Sequence, residues 1–99
     1  MISKYKDVQY VDDYEDVSLA AMDAGMIFLI GENHIPWQVA FACPCGCGHH
    51  IQLGVVDGMK HHWSIKIQDD GSITLSPSIL SLRGCKSHFF IRNNSIVWA

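Results

Sequence analysis

Three cysteines at alternate positions dominate one short stretch of the sequence. The octapeptide CPCGCGHH, residues 43–50, contains Cys43, Cys45 and Cys47 and ends in two adjacent histidines. Sulfur and imidazole nitrogen are ligands that zinc prefers in proteins, and a structural zinc site takes four of them. The residues alone leave three explanations open, namely a disulfide cluster, buried free thiols or a metal site, and they favour the metal site.

A straight strand cannot bring these cysteines to one ion. Residues i and i+4 of a strand lie roughly 13 Å apart, whereas sulfurs around one tetrahedral zinc ion lie just under about 4 Å apart. Pro44 interrupts a strand, and Gly46 and Gly48 permit left-handed or close-approach backbone. We therefore expect residues 43–48 to form a tight loop whose thiols converge.

A second group of candidate ligands lies in the segment Gly84-Cys85-Lys86-Ser87-His88. Its Cys-x-x-His spacing is common in zinc knuckles. The two segments together offer five candidate ligands: Cys43, Cys45, Cys47, Cys85 and His88. Four cysteine ligands would close the site, whereas three protein ligands and a water would leave it open and able to activate that water.

The candidate catalytic residues are Glu32, Ser87 and His88. An open zinc site needs a general base, and Glu32 is the best-placed carboxylate by type, in a loop between two apolar segments. Ser87 and His88 are neighbours whose side chains should diverge, so we expect Ser87 to bond the backbone or to position a substrate carbonyl. A cysteine nucleophile activated by His88, without zinc, is a further alternative.

The remaining histidines are weaker candidates. His49 and His50 directly follow the cysteines, but adjacent strand residues face opposite ways, so at most one of them can approach the ion. We expect His34, His61 and His62 to be surface residues.

The chain as a whole has the composition of an ordinary globular domain. Its 99 residues form one domain, residues 1–99, and 48% apolar with 17% charged residues argues against disorder. A formal charge of −3 gives no basic surface for nucleic acid. No apolar run approaches a membrane span, and the N-terminus lacks a signal segment. We therefore expect the protein to be cytoplasmic. Disulfides rarely persist in the cytoplasm.

The apolar patterns predict a mostly β fold, that is, a β-rich α+β class. We expect a small single domain of antiparallel strands with one short N-terminal helix, stabilised by one zinc site. Strands are predicted at residues 6–11, 26–30, 37–42, 50–56, 63–68, 73–75, 88–92 and 95–98. Segment 31–36 is predicted to be a loop, and Pro77 to end the strand before it, because proline cannot donate to a ladder. Turns are expected at Asp57-Gly58, Asp70-Gly71 and Asn93-Asn94.

The combined motifs resemble a family of small bacterial cysteine-rich domains. The resemblance is carried by CPCGCG, a strand tryptophan, Thr74-Leu75-Ser76-Pro77-Ser78, the segment GCKSHFFI at residues 84–91 and the closing IVW at residues 96–98. It covers about residues 25–99. Members are often encoded beside bacterial ubiquitin-like conjugation genes, which specify an activating-enzyme-like adenylyltransferase, a conjugating-enzyme-like protein and a ubiquitin-like protein.

The resemblance implies particular residues and an activity. It puts Cys43, Cys45, Cys47 and Cys85 at metal-ligand positions, with Zn²⁺ as the cofactor, and His88 in a Ser-His motif. The segment around Glu32 resembles one that a branch of the family places before its cysteine loop. The implied activity is that of a peptidase that matures the C-terminus of a ubiquitin-like protein or reverses its conjugates.

Two functions from different classes are consistent with these residues. The first is a zinc-dependent peptidase, in which zinc activates water, Glu32 shuttles protons, and Ser87 or His88 stabilises the oxyanion. The second is a non-catalytic zinc module, closed by its four cysteines, that binds ubiquitin-like conjugation enzymes. Both predict a ubiquitin-like protein, and its activating or conjugating enzymes, as partners.

Overall fold

The computed structural model of the protein describes residues 1–56, 62–81 and 85–99. Within these ranges the chain forms eight strands, one short helix and one turn of 3-10 helix at Tyr14–Asp16. The elements are β1 (Asp7–Val11), α1 (Leu19–Asp23), β2 (Met26–Glu32), β3 (Ile35–Ala42), β4 (His50–Gly54), β5 (Ser64–Ile67), β6 (Ile73–Leu80), β7 (His88–Arg92) and β8 (Ser95–Trp98). No helix in the described ranges is long and apolar enough to cross a membrane.

The strands form two sheets of four. The first sheet has the order β1-β2-β3-β4 and the second the order β5-β6-β7-β8. Neighbouring strands are antiparallel except β1 and β2, which are parallel, so the chain returns to β2 through the connection that contains α1. The predicted β-rich domain with one short N-terminal helix is confirmed. The prediction specified antiparallel strands, and the parallel pair of β1 and β2 differs from it.

The two sheets pack face to face around one apolar core. Within that core the rings of Phe41 and Phe89, one from each sheet, meet edge to face with centroids 6.3 Å apart. Further fully buried members come from both sheets, among them Ile27, Leu29, Val39, Ile73, Leu75 and Ile91. Alternation along each strand turns these residues inward, which explains why the apolar periodicity predicts the strands.

Strand β2 is apolar without alternation because both of its faces are covered. Ile27 and Leu29 face the other sheet, whereas Phe28 and Ile30 pack on the opposite side with Met22 of α1. A strand buried on both faces reads as a continuous hydrophobic run. Helix α1 begins where the Ser18 hydroxyl accepts the Ala21 N–H at 3.1 Å.

The N-terminal residues tie the cysteine loop to the last hairpin. The Ile2 N–H donates to the Pro44 carbonyl at 2.7 Å, and the Tyr5 N–H donates to the Asn94 carbonyl at 2.8 Å. The buried Tyr5 hydroxyl donates to the carbonyl of Ala42, which directly precedes the first cysteine. Burial raises the pKa of Tyr5, so its hydroxyl stays a proton donor.

Two local predictions were wrong. Residues 31–36 are not an open loop, because β2 and β3 extend toward a two-residue turn at Asn33 and His34. Both turn residues have positive φ, 51° and 60°, as a tight hairpin with the right-handed twist of its strands requires. The turn predicted at Asp57-Gly58 lies outside the described residues.

Pro77 does not end a strand, since β6 continues through it to Leu80. The ladder with β5 extends to Ser76, and the ladder with β7 shifts register between Leu75 and Ile79. The irregularity sets Pro77 between paired positions, so its missing N–H leaves no ladder partner unsatisfied. The Ser76–Pro77 peptide bond is cis.

Candidate metal centre and Ser–His pair

Four cysteines from the two sheets meet in one cluster. Cys43, Cys45 and Cys47 lie in the β3–β4 hairpin of the first sheet, and Cys85 lies in the β6–β7 connection of the second. Their four sulfur atoms all lie within 4.8 Å of one another. The Sγ of Cys43 is 3.5 Å from that of Cys45 and 3.4 Å from that of Cys85. We call these four residues the cysteine cluster.

The hairpin loop folds tightly because its glycines adopt conformations that side chains disfavour. The Cys43 N–H donates to the His49 carbonyl at 2.8 Å, which closes the loop, and the Gly46 N–H donates to the Cys43 carbonyl at 3.2 Å. Gly46 and Gly48 have φ of +86° and +87°. These left-handed steps turn the intervening thiols to the same side, so the alternation of cysteine and glycine is a geometric requirement of the loop.

The cluster fits a tetrahedral thiolate-bound ion. All four cysteines are free thiols. Sulfur atoms that each lie about 2.3 Å from a tetrahedral zinc ion are separated by about 3.8 Å, close to the spacing of this cluster. Four soft donors with no oxygen among them match zinc better than magnesium or calcium. The cluster therefore has the number and type of donors, and the spacing, of a closed site with four thiolate ligands.

The thiols differ in how readily they lose a proton. Hydrogen bonds from Cys45 and then from Ser87 lower the pKa of the exposed Cys85 thiol to about 6. Burial raises the pKa of Cys43, whose sulfur is the most enclosed of the four. Since thiolate is the form that binds a metal, the lowered pKa of Cys85 favours its role as a ligand.

A serine and a histidine meet on the outer face of the second sheet. The Oγ of Ser78 on β6 lies 2.7 Å from the Nε2 of His88 at the start of β7. In the ladder between these strands His88 pairs with Leu80, and Ser78 precedes Leu80 by two residues, on the same face. A serine hydroxyl hydrogen-bonded to an imidazole is the arrangement of an activated nucleophile and its general base.

Neighbouring side chains hold both members of this Ser–His pair. Phe90 stacks on the His88 ring with centroids 6.5 Å apart, and the guanidinium of Arg92 lies 4.8 Å from the centre of the Phe90 ring. These alternate residues share the outer face of β7. On the other side, the Trp63 indole N–H donates to the Ser78 carbonyl at 3.3 Å.

The comparison with protein families identifies the chain's relatives. A family model described as "Bacterial ubiquitination-like system serine protease (BubE)" matches residues 12–99. The chain belongs to the BubE family. The matched range includes the cysteine cluster, the Ser–His pair and every strand except β1. No curated protein and no solved structure matched the chain.

The BubE match confirms the predicted resemblance to a family of the bacterial ubiquitin-like systems. It also names the family as proteases, in agreement with the coarse activity that the resemblance implied. The description specifies a serine protease.

The structure does not bring Glu32 to the cysteine cluster. Glu32 is exposed and pairs with Ile35 beside the β2–β3 turn, whereas Cys43 follows the opposite end of β3. Eight residues of extended chain at about 3.3 Å each separate Ile35 from Cys43 by roughly 26 Å. A carboxylate at that end of the sheet is too far to act on water at the cluster.

Ser87 and His88 point in different directions, as the alternation of strand residues predicts. The Ser87 hydroxyl lies 2.9 Å from the Cys85 sulfur, and the His88 ring is hydrogen-bonded to Ser78. Among the described residues the metal-binding group contains only the four cysteines, so His88 is not part of it. The Ser87 side chain thus contacts the cysteine cluster, and the His88 side chain contacts Ser78.

Two other histidines, His50 and His34, have partners away from the cluster. His50 Nε2 lies 2.8 Å from a carboxylate oxygen of Asp23, which joins the start of β4 to the end of α1. The exposed His34 stacks on Tyr10 with ring centroids 4.5 Å apart. His61 and the Gly84 of the second cysteine segment lie outside the described residues.

Ser78 is the residue that sequence reasoning missed. Ser78 is part of the motif Thr74-Leu75-Ser76-Pro77-Ser78. The predicted strand ended before Pro77, however, so the prediction gave Ser78 no cross-strand neighbour. The available signal was the serine directly after the proline, combined with a histidine at the start of the next strand. Pairing those two strands antiparallel places Ser78 and His88 on one face.

Proposed function

We propose that this chain is a serine protease of a bacterial ubiquitin-like system, with Ser78 as the nucleophile and His88 as the general base. The observation that carries the proposal is the 2.7 Å contact between the Ser78 hydroxyl and the His88 imidazole. The family description supports the same class of enzyme. The substrate we propose is the C-terminal tail of a ubiquitin-like protein, either in its precursor or in a conjugate.

The two residues divide the work of peptide hydrolysis. In the tautomer of His88 that has its proton on Nδ1, Nε2 is free to accept the Ser78 proton as Oγ attacks the scissile carbonyl carbon. The tetrahedral intermediate collapses with cleavage of the C–N bond, and His88 gives its proton to the leaving amine. A water that His88 deprotonates then attacks the ester on Ser78. The carboxylic acid product leaves, and His88 returns the proton to the Ser78 oxygen.

Supporting side chains restrain this pair before substrate arrives. Stacking on Phe90 limits rotation of the His88 ring, and the Trp63 indole fixes the backbone at Ser78. A nucleophile and base held in place lose less orientational freedom when substrate binds. The outer face of the second sheet leaves His88 exposed to an incoming chain.

We propose that the cysteine cluster is a structural zinc site. Cys43, Cys45, Cys47 and Cys85 would hold the ion, and four thiolates fill a tetrahedral shell without a position for water. A bound ion would link the β3–β4 hairpin to the β6–β7 connection. The distance of Glu32 from the cluster also favours a structural ion over a catalytic one. Free thiols suit the cytoplasm, which we propose as the compartment.

A labelling and cleavage experiment tests the protease. The purified chain is treated with a fluorophosphonate, which reacts with activated serines, and peptide mapping by mass spectrometry locates the adduct. In parallel the chain is incubated with a bacterial ubiquitin-like precursor from the same conjugation gene set, and its intact mass is followed. We expect the adduct on Ser78, loss of the precursor tail, and a fall of at least about 10³-fold in cleavage for Ser78→Ala.

Ser76→Ala is the matched control, because Ser76 is an exposed serine two residues away on the same strand. It should keep both labelling and cleavage. An adduct on another serine, or full cleavage by a folded Ser78→Ala variant, contradicts the assignment. An intact precursor in every reaction, together with no adduct, contradicts the proposed activity itself.

A further inference from the structure

A mainly apolar cavity of about 310 Å³ opens between β4 of the first sheet and the β5–β6 side of the second. Its apolar lining consists of Ile51, Leu53, Trp63, Ile79 and Leu80, and the other lining residues are two histidines and one serine. Ligand pockets in proteins range from about 300 to 1,000 Å³. This cavity is therefore large enough for one or two side chains and too small for a folded domain.

The cavity adjoins the Ser–His pair through three of its lining residues. Trp63 donates its indole N–H to the Ser78 carbonyl. Ile79 directly follows Ser78, and Leu80 pairs with His88 across the ladder between β6 and β7. A chain bound with its scissile carbonyl at Ser78 would thus have the cavity within reach of a side chain.

We propose that this cavity binds an apolar side chain of the substrate, in the segment on the acyl side of the scissile bond. This inference rests on the proposed protease function. Precursor and conjugate carry different groups on the amine side of the scissile bond but share the tail on its acyl side. Recognition of the acyl side therefore serves whichever of the two is the substrate.

The lining defines the chemical class of that side chain. Among the lining residues none carries a carboxylate, so a lysine or arginine side chain would lose its water without gaining a partner. Leu80 is 52% exposed although it is large and apolar, and an apolar side chain in the cavity would cover it. The specificity expected is for apolar residues over charged ones.

Acyl esters of p-nitrophenol of increasing chain length test the cavity directly. The rate of Ser78 acylation is measured from nitrophenolate release, and the acylated residue is identified by mass spectrometry. For the unaltered chain we expect the hexanoyl ester to acylate Ser78 at least about tenfold faster than the acetyl ester, because the longer chain reaches the cavity. A succinyl monoester, which carries a terminal carboxylate, should lack this advantage.

Leu80→Asp introduces a charge into the lining at a position that is half exposed. We expect the ratio of hexanoyl to acetyl rates to fall by about tenfold or more. Leu19→Asp is the matched control, because Leu19 is 51% exposed on α1 and does not line the cavity. The control should leave the ratio unchanged.

The outcomes separate the two proposals. If no ester acylates Ser78, the proposed function fails. If Ser78 is acylated at one rate by all chain lengths, or if Leu80→Asp leaves the ratio as it was, the protease assignment survives and the substrate-binding role of the cavity is rejected.

Discussion

The cysteine cluster and the Ser–His pair share one short segment, residues 85–88, yet they are built differently. The cluster combines loops from both sheets, and its innermost thiol, that of Cys43, is buried. The pair lies within a single sheet, where Ser78 and His88 meet on the outer face. One arrangement holds parts of the fold together, whereas the other presents reactive groups to an incoming chain.

The shared segment couples the two sites mechanically. Cys85 is three residues before His88, and between them Ser87 accepts the Ser81 N–H through its carbonyl at 2.8 Å. An ion held by the cluster would fix Cys85 and, through this short segment, the start of β7 and the position of His88. Because the two sites are built separately, we expect loss of the metal to reduce cleavage by destabilising the fold. It should have no direct effect on the chemical step.

Removal of the metal is the change with the largest expected effect. Structural zinc in small zinc-finger domains contributes about 10–16 kcal/mol, comparable to the whole stability of a domain, about 5–15 kcal/mol. We expect one zinc ion per chain by elemental analysis. Chelation, or Cys43→Ser, should abolish the cooperative thermal unfolding transition. Readdition of zinc to the unaltered chain should restore it.

Replacement of zinc by cadmium separates a structural ion from a catalytic one. Four thiolates bind either metal, so the cadmium form should be folded and should cleave the precursor at a similar rate. A folded cadmium form without cleavage would mean that the ion takes part in the chemistry. The contrast between the two sites would then disappear.

The loop of the cysteine cluster could be predicted from the sequence because its constraints are local. Alternating cysteine and glycine in residues 43–48 require a tight loop. The fourth donor was left open between Cys85 and His88 by the residues themselves, and the family resemblance pointed to Cys85, which the structure brings to the other three. Most strands were also predictable, since one face of each meets the core and the apolar alternation records it. The loop and the strands are both recognised from residue type and from spacing within a few positions.

The Ser–His pair could not be predicted in the same way, because its geometry depends on the register between two strands. The register shift between Leu75 and Ile79 decides which residue of β6 faces His88. Proline statistics argued against a strand through Pro77, and the bulge that accommodates the proline has no signature of its own. The distance of Glu32 from the cysteine cluster was hidden for a related reason, since nearness in sequence becomes distance along an extended strand.

Ser87→Ala should have an intermediate effect that is confined to the cluster. The Ser87 hydroxyl lies 2.9 Å from the Cys85 sulfur and helps to keep that thiol deprotonated. Loss of such an outer hydrogen bond typically weakens metal binding by about 10- to 100-fold. We expect the lower end, because Cys85 is exposed, and a competition titration with a chelator measures it.

Cleavage of the precursor by the zinc-loaded Ser87→Ala variant should remain within about threefold of the unaltered chain, because the Ser87 hydroxyl that it removes lies at the Cys85 sulfur and not at the Ser78–His88 hydrogen bond. Ser64→Ala, at an exposed serine of β5, is the control for both measurements. A large loss of cleavage with zinc still bound would instead assign Ser87 to the oxyanion, as one of the two sequence-based hypotheses held.

Glu32→Gln should have the smallest effect, and it discriminates the two mechanisms. The change keeps the size of the side chain and removes its charge at an exposed position beside a turn, so we expect stability to change by less than about 0.5 kcal/mol. The kcat/KM for precursor cleavage should stay within about twofold, because a base roughly 26 Å along the strand from the cluster cannot deliver a proton there. A loss of more than tenfold, with zinc content and melting temperature unchanged, would require Glu32 to reach the reacting atoms. Catalysis would then need a chain arrangement in which the far end of β3 meets the cysteine cluster, and that would overturn both the closed site and the Ser–His mechanism.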